Sequence, residues 1–188
     1  HLVHLARELI AQGNDVPYYS SHPLYRIVRD GVPRRHARAQ FAALQPFAAG
    51  ALQRVLPALQ WRCVESMLEK MDEQVARRLE PCDVFIGLSA MMDKSGEAAR
   101  RKYGATVVAD RGAMHVLTQR ALTARNGVST LSECYVRREL QSYAVADYVA
   151  LPSENCVRSF VEHGVPEQKL FLNLYGVDLT RFMPTRQP

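Results

Sequence analysis

Short apolar runs alternate with longer segments of helical periodicity along most of this chain. The runs Val84–Leu88, Thr106–Ala109 and Tyr148–Leu151 are as short and as continuously apolar as strands buried on both faces. Strands that alternate with helices pair in parallel through right-handed crossovers. The sequence therefore predicts an α/β fold, a Rossmann-like open parallel sheet with helices on both faces.

The boundaries of the elements follow from periodicity and from turn residues. Gly13 ends the first helix, Pro46 and Pro57 interrupt a long helical pattern, and residues 23–33 are predicted to form a loop. The predicted helices are 1–12, two or three in series over 38–79, 95–103, 131–146 and 154–163, and the predicted strands are 16–20, 84–88, 106–109, 148–151 and 170–174.

Composition places the chain among globular proteins. Its 188 residues, 47% of them hydrophobic, can form one domain with a sizeable core. No apolar run approaches the roughly 18 residues that a membrane span requires, and the N-terminus enters helical periodicity directly, unlike a signal peptide. We therefore expect a cytoplasmic protein. Cys63, Cys82, Cys134 and Cys156 are scattered without a Cys-x-x-Cys pair, which favours four buried reduced thiols over a zinc site or disulfides.

The positive charge lies in the N-terminal third. Residues 1–62 contain eight arginines against Glu8, Asp15 and Asp30, so the other 126 residues contribute nothing to the net charge of +5. A patch of this kind attracts phosphates of a nucleic acid, an anionic membrane or an anionic substrate. A solvated face without a partner is the commoner explanation of such a run of charge.

The basic stretch 34–38 precedes the apolar residues Phe41, Leu44 and Phe47. Such a segment can be an amphipathic element that lies on an anionic membrane, and the alternative is ordinary core packing of the three apolar residues. Trp61 is alone and no aromatic residues are interleaved with the arginines in the way that stacks bases, which disfavours a nucleic-acid partner.

Candidate ligand-binding residues follow the predicted strands, where parallel α/β sheets bind their ligands. Arg111 and His115 come directly after the strand that ends at Ala109. Arginine offers a planar fork of donors for phosphate or carboxylate, and histidine exchanges hydrogen bonds near neutral pH. The alternative is a surface arginine and a histidine that caps a helix. Lys94 to Glu97 has an N-cap pattern, and the amides of the helix it opens could bind an anion.

Several common motifs are missing. The sequence has no Gly-x-Gly-x-x-Gly, no Walker sequence and no Gly-x-Ser-x-Gly. His1 and His4 share one helix face, but no further ligand residues cluster with them, so we expect neither a metal nor another cofactor.

An ordered series of short motifs resembles the N-terminal domain of the retaining glycosyltransferases of family 4, which have the GT-B fold. The series is Arg138-Glu139-Leu140, Ala146-Asp147-Tyr148, Pro152-Ser153, the stretch 159–166, Lys169-Leu170, Tyr175-Gly176-Val177-Asp178 and Arg181-Phe182-Met183-Pro184. The first helix and the residues 13–16 after it are similar to the start of these enzymes, so the resemblance spans nearly the whole chain.

The resemblance implies roles for particular residues. His115 would contact the donor sugar at the reaction centre, with Arg111 and Gly112 in the same Arg-Gly-x-x-His pattern. Ser89 would border the cleft, and Gly176 with Asp178 would lie at the crossover to a second domain, close to the donor. The implied reaction moves a sugar from a nucleotide-diphosphate sugar to a carbohydrate or lipid-linked acceptor with retention of configuration and without a metal ion.

The resemblance also implies a truncated domain. Residues 1–182 would be the acceptor-side domain without its first strand, and residues 183–188 a linker toward a donor-binding domain. We therefore expect the fragment alone to be inactive, and the full protein to be a cytoplasmic enzyme with peripheral contact at the inner face of the membrane. The alternative is a non-catalytic α/β module that docks on an anionic partner through its basic face.

Overall fold

The structure, a computed structural model, describes residues 2–39, 57–127 and 131–176, with backbone alone for 57–64. Its helices are α1 (Leu2–Ala11), α2 (Leu24–Arg29), α3 (Pro57–Arg78), α4 (Asp93–Tyr103), α5 (Val116–Arg125), α6 (Glu133–Val145) and α7 (Glu154–Glu162), with a 3₁₀ turn at Glu167–Lys169. Its strands are β1 (Tyr18–Ser20), β2 (Ala37–Ala39), β3 (Val84–Leu88), β4 (Thr106–Asp110), β5 (Tyr148–Leu151) and β6 (Leu170–Leu172).

Every strand pair in the described residues is parallel, as the sequence predicts. The larger sheet has the order β3-β4-β5-β6, and β1 pairs with β2 in a separate small sheet. Successive neighbours joined through helices give the Rossmann-like open α/β fold. Among the described strands β3 has a partner on one edge only, and its Val84 and Leu88 are 51% and 41% exposed.

The main core lies between the larger sheet and helices α6 and α7. Val107 of β4 and Val149 of β5 are completely buried, and Phe160 of α7 and Tyr143 of α6 pack in the same cluster. Apolar and polar residues do not alternate clearly in β4 and β5. Both faces of these central strands are covered, so their sequences are continuously apolar.

A second, smaller core joins the small sheet to the larger one through α3. Val75 and Leu79 pack with Ala98 and Ala99 of α4, and Tyr19 of β1 contacts this cluster. The Tyr19 hydroxyl accepts a hydrogen bond of 3.0 Å from the Glu80 backbone N–H. These contacts attach both sheets to the helices α3 and α4.

Gly87 in the middle of β3 allows α4 to approach the sheet closely. A Cβ atom at this position would lie 2.5 Å from the Met92 Cβ and 3.0 Å from Phe85 Cε1. Because the first of these atoms is fixed to the backbone, we expect Gly87→Ala to lower the free energy of unfolding by about 2 to 3 kcal/mol. Gly176→Ala is the matched control, since a Cβ there has nothing within 4 Å. Urea unfolding of both variants measures the difference, and equal stabilities would contradict this packing.

Several boundaries differ from the prediction. Residues 23–33 contain the helix α2, whose Ile27 is buried, so the loop prediction was wrong. Pro57 begins α3 instead of interrupting it, in agreement with the tolerance of proline in a first helical turn. Helix α5 and strand β2 were not predicted. The part of the predicted helical series between 40 and 56 lies outside the described residues.

The cysteines are free where the structure describes their side chains, but only Cys156 is buried. Cys82 and Cys134 are partly exposed, so the prediction of buried thiols was wrong for these two, and the Cys63 side chain lies outside the described residues. Within the described ranges, none of the helices is long and apolar enough to cross a membrane.

Candidate functional site

The carboxyl ends of β3 to β6 meet at one edge of the larger sheet. The segments that leave this edge begin at Ser89, Arg111, Pro152 and Asn173. Because all four strands are parallel, every one of these segments starts on the same side of the molecule. The sequence-predicted site residues that the structure describes therefore lie on or beside one edge of the sheet. Asp178 lies outside the described residues.

The loop after β3 has a strained backbone that α6 holds in place. Ser89 is buried and its N–H donates to the Asp110 carbonyl at 3.2 Å. Ala90 has a left-handed φ of 64°, a conformation that residues with a Cβ adopt at a cost of about 1 to 2 kcal/mol. Its N–H donates to Ser142 Oγ at 2.9 Å and its carbonyl accepts from Arg138 Nε at 2.7 Å. Both backbone groups of the strained residue are thus fixed by side chains of α6.

Arg111 does not present its guanidinium to solvent. The side chain is buried, and Nη1 donates to Glu139 Oε1 of α6 at 2.5 Å. Nη2 donates to Gln119 Oε1 at 2.5 Å and to the Met114 carbonyl at 3.1 Å. The donors that could bind an anion are occupied within the protein. Arg111 is therefore neither the surface residue of the alternative interpretation nor an exposed anion site, and it ties the loop after β4 to α6.

Tyr135 completes this buried cluster. Its hydroxyl donates to Glu139 Oε1 at 2.6 Å, and burial, together with the nearby carboxylate, raises the pKa of Tyr135 to about 12. Glu139 is completely buried and thus shares one carboxylate oxygen between an arginine and a phenol. A buried carboxylate requires such partners, because burying a charge without them is costly.

His115 caps α5 and lies in the core. Its Nδ1 accepts a 3.4 Å hydrogen bond from the Leu117 N–H, so the ring proton is on Nε2, and its own N–H donates to Ser159 Oγ at 2.9 Å. The residue is 2% exposed. Burial first, and then the nearby His163 and Arg111, lower the pKa of His115 to about 4. The ring is neutral at pH 7.

The ring of His115 is surrounded by three other rings. It stacks on His163 with 4.2 Å between centroids, and it meets Phe160 edge-on at 4.9 Å and Tyr143 at 5.2 Å. His163 is exposed at the C-terminus of α7, and its Nε2 is 2.9 Å from Thr118 Oγ1. Sequence reasoning did not identify His163 as a neighbour of His115, since only the tertiary fold brings α7 beside α5.

Gly112 and Gly176 lie on the accessible surface of this edge. Gly112 is exposed, and its carbonyl accepts a 3.1 Å hydrogen bond from the Tyr175 hydroxyl. A Cβ on Gly112 would lie 2.6 Å from that hydroxyl oxygen, so glycine permits this contact. Gly176 is exposed as well. The segment after β6 therefore crosses close to the loop after β4.

Asp110 is a candidate that sequence reasoning did not single out. It is the last residue of β4, its side chain is buried, and burial raises the pKa of Asp110 to about 6. A buried carboxyl at the carboxyl edge of a parallel sheet is a frequent feature of binding sites. The sequence feature that could have identified Asp110 is its position as an aspartate at the end of an otherwise apolar strand.

The amides at the start of α4 bind a carboxylate of the protein itself. The helix begins at Asp93, so Ser95 is inside it and not its cap. Asp72 of α3, which is 1% exposed, accepts hydrogen bonds of 2.8 Å from the Lys94 and Ser95 N–H groups and one of 2.6 Å from Ser95 Oγ. Asp72 thus occupies the position that we had predicted for an external anion.

A cleft of about 370 Å³ opens beside this helix start, between α3, α4 and α6. Charged side chains of both signs line it, including Glu65, Glu69, Lys94, Arg137 and Arg138. Lys94 Nζ donates to Glu69 at 2.9 Å, so part of this charge is paired internally.

The described residues contain no group of three or more histidine, cysteine, aspartate or glutamate side chains that could hold a metal ion. His1, which the sequence predicts on one helix face with His4, lies outside the described residues. No model of a known protein family matches this chain, and no curated protein matches it.

Proposed function

We propose that this chain is part of a retaining glycosyltransferase, which takes a sugar from a nucleotide-diphosphate sugar and transfers it to a carbohydrate or lipid-linked acceptor. The chain would supply the acceptor side of the cleft and would be inactive alone. The observation that carries the proposal is the convergence of Ser89, Asp110, Gly112 and Gly176 at one carboxyl edge of a parallel sheet. Ligands of open α/β sheets bind at such edges.

The accessible part of this edge suggests where a sugar would lie. Gly112 and Tyr175 are exposed and adjacent, and the Tyr175 hydroxyl fills the space that a Cβ on Gly112 would take, so a sugar at this edge would contact that hydroxyl. Asp110 lies directly before this loop and could exchange a proton near neutral pH. In this proposal no metal or other cofactor takes part, the partners do not include nucleic acid, and the protein is cytoplasmic.

His115 has two separable roles in the proposal. As the cap of α5 it fixes the loop 111–114 that precedes the helix. The contact with the donor sugar that the resemblance implies requires access to a ring that is 2% exposed in this structure. Substitutions can separate these roles, because asparagine is a strong N-cap residue without an imidazole ring.

The test is a transfer assay with nucleotide-sugar donors, using the protein that carries this sequence. We expect His115→Ala to lower kcat by about a hundredfold, the usual effect of removing a group that contacts the transition state. We expect His115→Asn, which keeps the helix cap, to lower kcat as much. Full activity of His115→Asn would limit His115 to capping, and absence of transfer by the wild-type protein with every donor would contradict the proposed function.

The exposed arginines favour a second candidate function, a non-catalytic module that docks on an anionic partner. Arg26, Arg34 and Arg35 are exposed, and their binding to a polyanion would weaken with salt. Loss of transfer in His115→Ala supports the proposal that the protein is a glycosyltransferase. Salt-sensitive binding that survives His115→Ala, in a protein without transfer activity, supports the module.

A further inference from the structure

Helix α2 exposes apolar and basic side chains together on one side. Tyr25 is 71% exposed and Val28 42%, and Arg26 and Arg29 are exposed beside them, whereas Ile27 on the opposite side is 2% exposed. At 3.6 residues per turn these four exposed residues lie within about 160° around the helix axis. The helix is thus anchored through one buried side chain and presents an aromatic ring, a valine and two cations outward.

Exposed arginines of two neighbouring segments lie near α2. A Cβ on Gly31, just after α2, would lie 2.8 Å from Arg7 Nε, so the guanidinium of α1 lies against the end of α2. Arg34 and Arg35 are exposed in the turn 33–36, which leads into β2, and β2 contacts α2. We call Tyr25, Val28 and the arginines at 7, 26, 29, 34 and 35 the α2 face.

The α2 face has an excess of positive charge. Residues 2–39 contain six arginines and three acidic residues. Two of these carboxylates have basic neighbours. Asp15 Oδ1 lies 3.5 Å from His36 Nδ1, and Asp30 Oδ1 lies 3.8 Å from Arg29 Nε. In the parts of the chain that the structure describes, Arg7, Arg26 and Arg34 form no ion pair, so their charges are available to an external anion.

The combination of charge and exposed apolar groups indicates the kind of partner. Arginines are attracted to anionic headgroups, and a tyrosine with an adjacent aliphatic residue favours the boundary between headgroups and acyl chains. A surface that binds a polynucleotide would present several aromatic rings on which bases stack, and an exposed valine would not contribute to such binding. We propose that the α2 face docks this protein on an anionic membrane surface, with Tyr25 and Val28 entering the headgroup region.

This surface differs from the membrane element that the sequence suggested. That prediction used residues 34–47, of which 40–47 lie outside the described residues, and His36 in its basic part is buried. The α2 face includes none of the residues of the proposed catalytic edge. The proposal that this face docks on a membrane is therefore independent of the proposed transferase activity.

The test is co-sedimentation of the chain with vesicles of phosphatidylcholine, with and without phosphatidylglycerol, at low and high salt. We expect binding to the anionic vesicles only, and weaker binding at high salt. Each arginine near an anionic surface contributes about a fivefold gain in affinity, so Arg26→Glu with Arg29→Glu is expected to weaken binding more than about 25-fold. Tyr25→Ala is expected to weaken it at both salt concentrations.

The matched control is Arg101→Glu with Arg125→Glu. These exposed arginines also lie in the last turns of helices, α4 and α5, so the double change has the same effect on net charge and on helix ends. We expect this control to keep most of the binding. The proposal is overturned by equal loss in the control, by equal binding to vesicles without phosphatidylglycerol, or by tighter binding of single-stranded nucleic acid that depends on the same two arginines of α2. Circular dichroism verifies that each variant is folded, and Tyr25→Ala tests the surface without changing its charge.

Discussion

Replacement of Arg111 by methionine is expected to lower the free energy of unfolding by about 3 to 5 kcal/mol. The reason is the carboxylate that remains. Glu139 is completely buried, and Arg111 Nη1 lies 2.5 Å from its Oε1. Methionine fills the volume of the arginine stem but leaves this charge without its cation, and Gln119 loses a hydrogen-bond donor as well. Urea unfolding, extrapolated to water, measures the change.

The control for this prediction is an exposed pair with the same chemistry. Arg120 Nη1 lies 2.6 Å from Glu133 Oε1, but the glutamate is 87% exposed, so Arg120→Met should cost less than about 1 kcal/mol. Combining Arg111→Met with Glu139→Leu should recover most of the loss, since it removes both buried charges. A cost for Arg111→Met no larger than that for Arg120→Met would contradict the claim that Glu139 is left as a buried, uncompensated charge.

Asp110→Asn and His115→Gln are expected to change the pH dependence of stability in opposite directions. The folded-state pKa of His115 is about 4, below its ordinary value of 6.5, so the unfolded chain takes up the proton first. Stability is therefore lost as the pH falls from 6.5 to 4. The folded-state pKa of Asp110 is about 6, above its ordinary 3.8, so stability is gained as the pH falls through the same range. Each effect amounts to about 3 kcal/mol.

The two effects nearly cancel in the wild-type protein. Relative to wild type, Asp110→Asn should lose about 3 kcal/mol between pH 7 and pH 4, and His115→Gln should gain about 3 kcal/mol over the same interval. Urea unfolding at the two pH values measures both, and the other carboxylates contribute equally to all three proteins. Parallel pH profiles of the two variants would mean that these groups are not buried as the structure has them.

The fold was largely predictable because its strands have a strong local signal. The apolar runs at 84–88 and 148–151 form β3 and β5 with unchanged boundaries. Residues 149–151 of the central β5 are buried, as expected for a strand covered on both faces. β3 lies at an edge of the described sheet, and its Val84 and Leu88 are exposed. Helix α2 was missed because it has only six residues and follows Pro23, which suggested a turn. Helix α5 was missed because its apolar residues do not gather on one side, and only Val116 is buried.

The candidate site was predictable in position but not in the direction of its side chains. The strand ends place Arg111 and His115 near the carboxyl edge, yet both side chains turn inward. Glu139 carried a usable signal, since it falls on the same helical stripe as the buried Val136 and Tyr143. A carboxylate on an apolar stripe requires a buried cation. Which arginine supplies that cation depends on contacts 28 residues apart, which periodicity does not reveal.

Among the strands that the structure describes, β3 has one unpaired edge, which bears on how this chain behaves in concentrated solution. Its five residues, Val84–Leu88, include neither a charge nor a proline, which are the usual protections of an edge strand. A strand of this composition can pair with the same strand of another molecule, and such pairing leads to aggregates. The solubility of the chain should therefore depend in part on this edge, and a lysine in place of the exposed Val84 should raise the concentration at which the protein stays monodisperse.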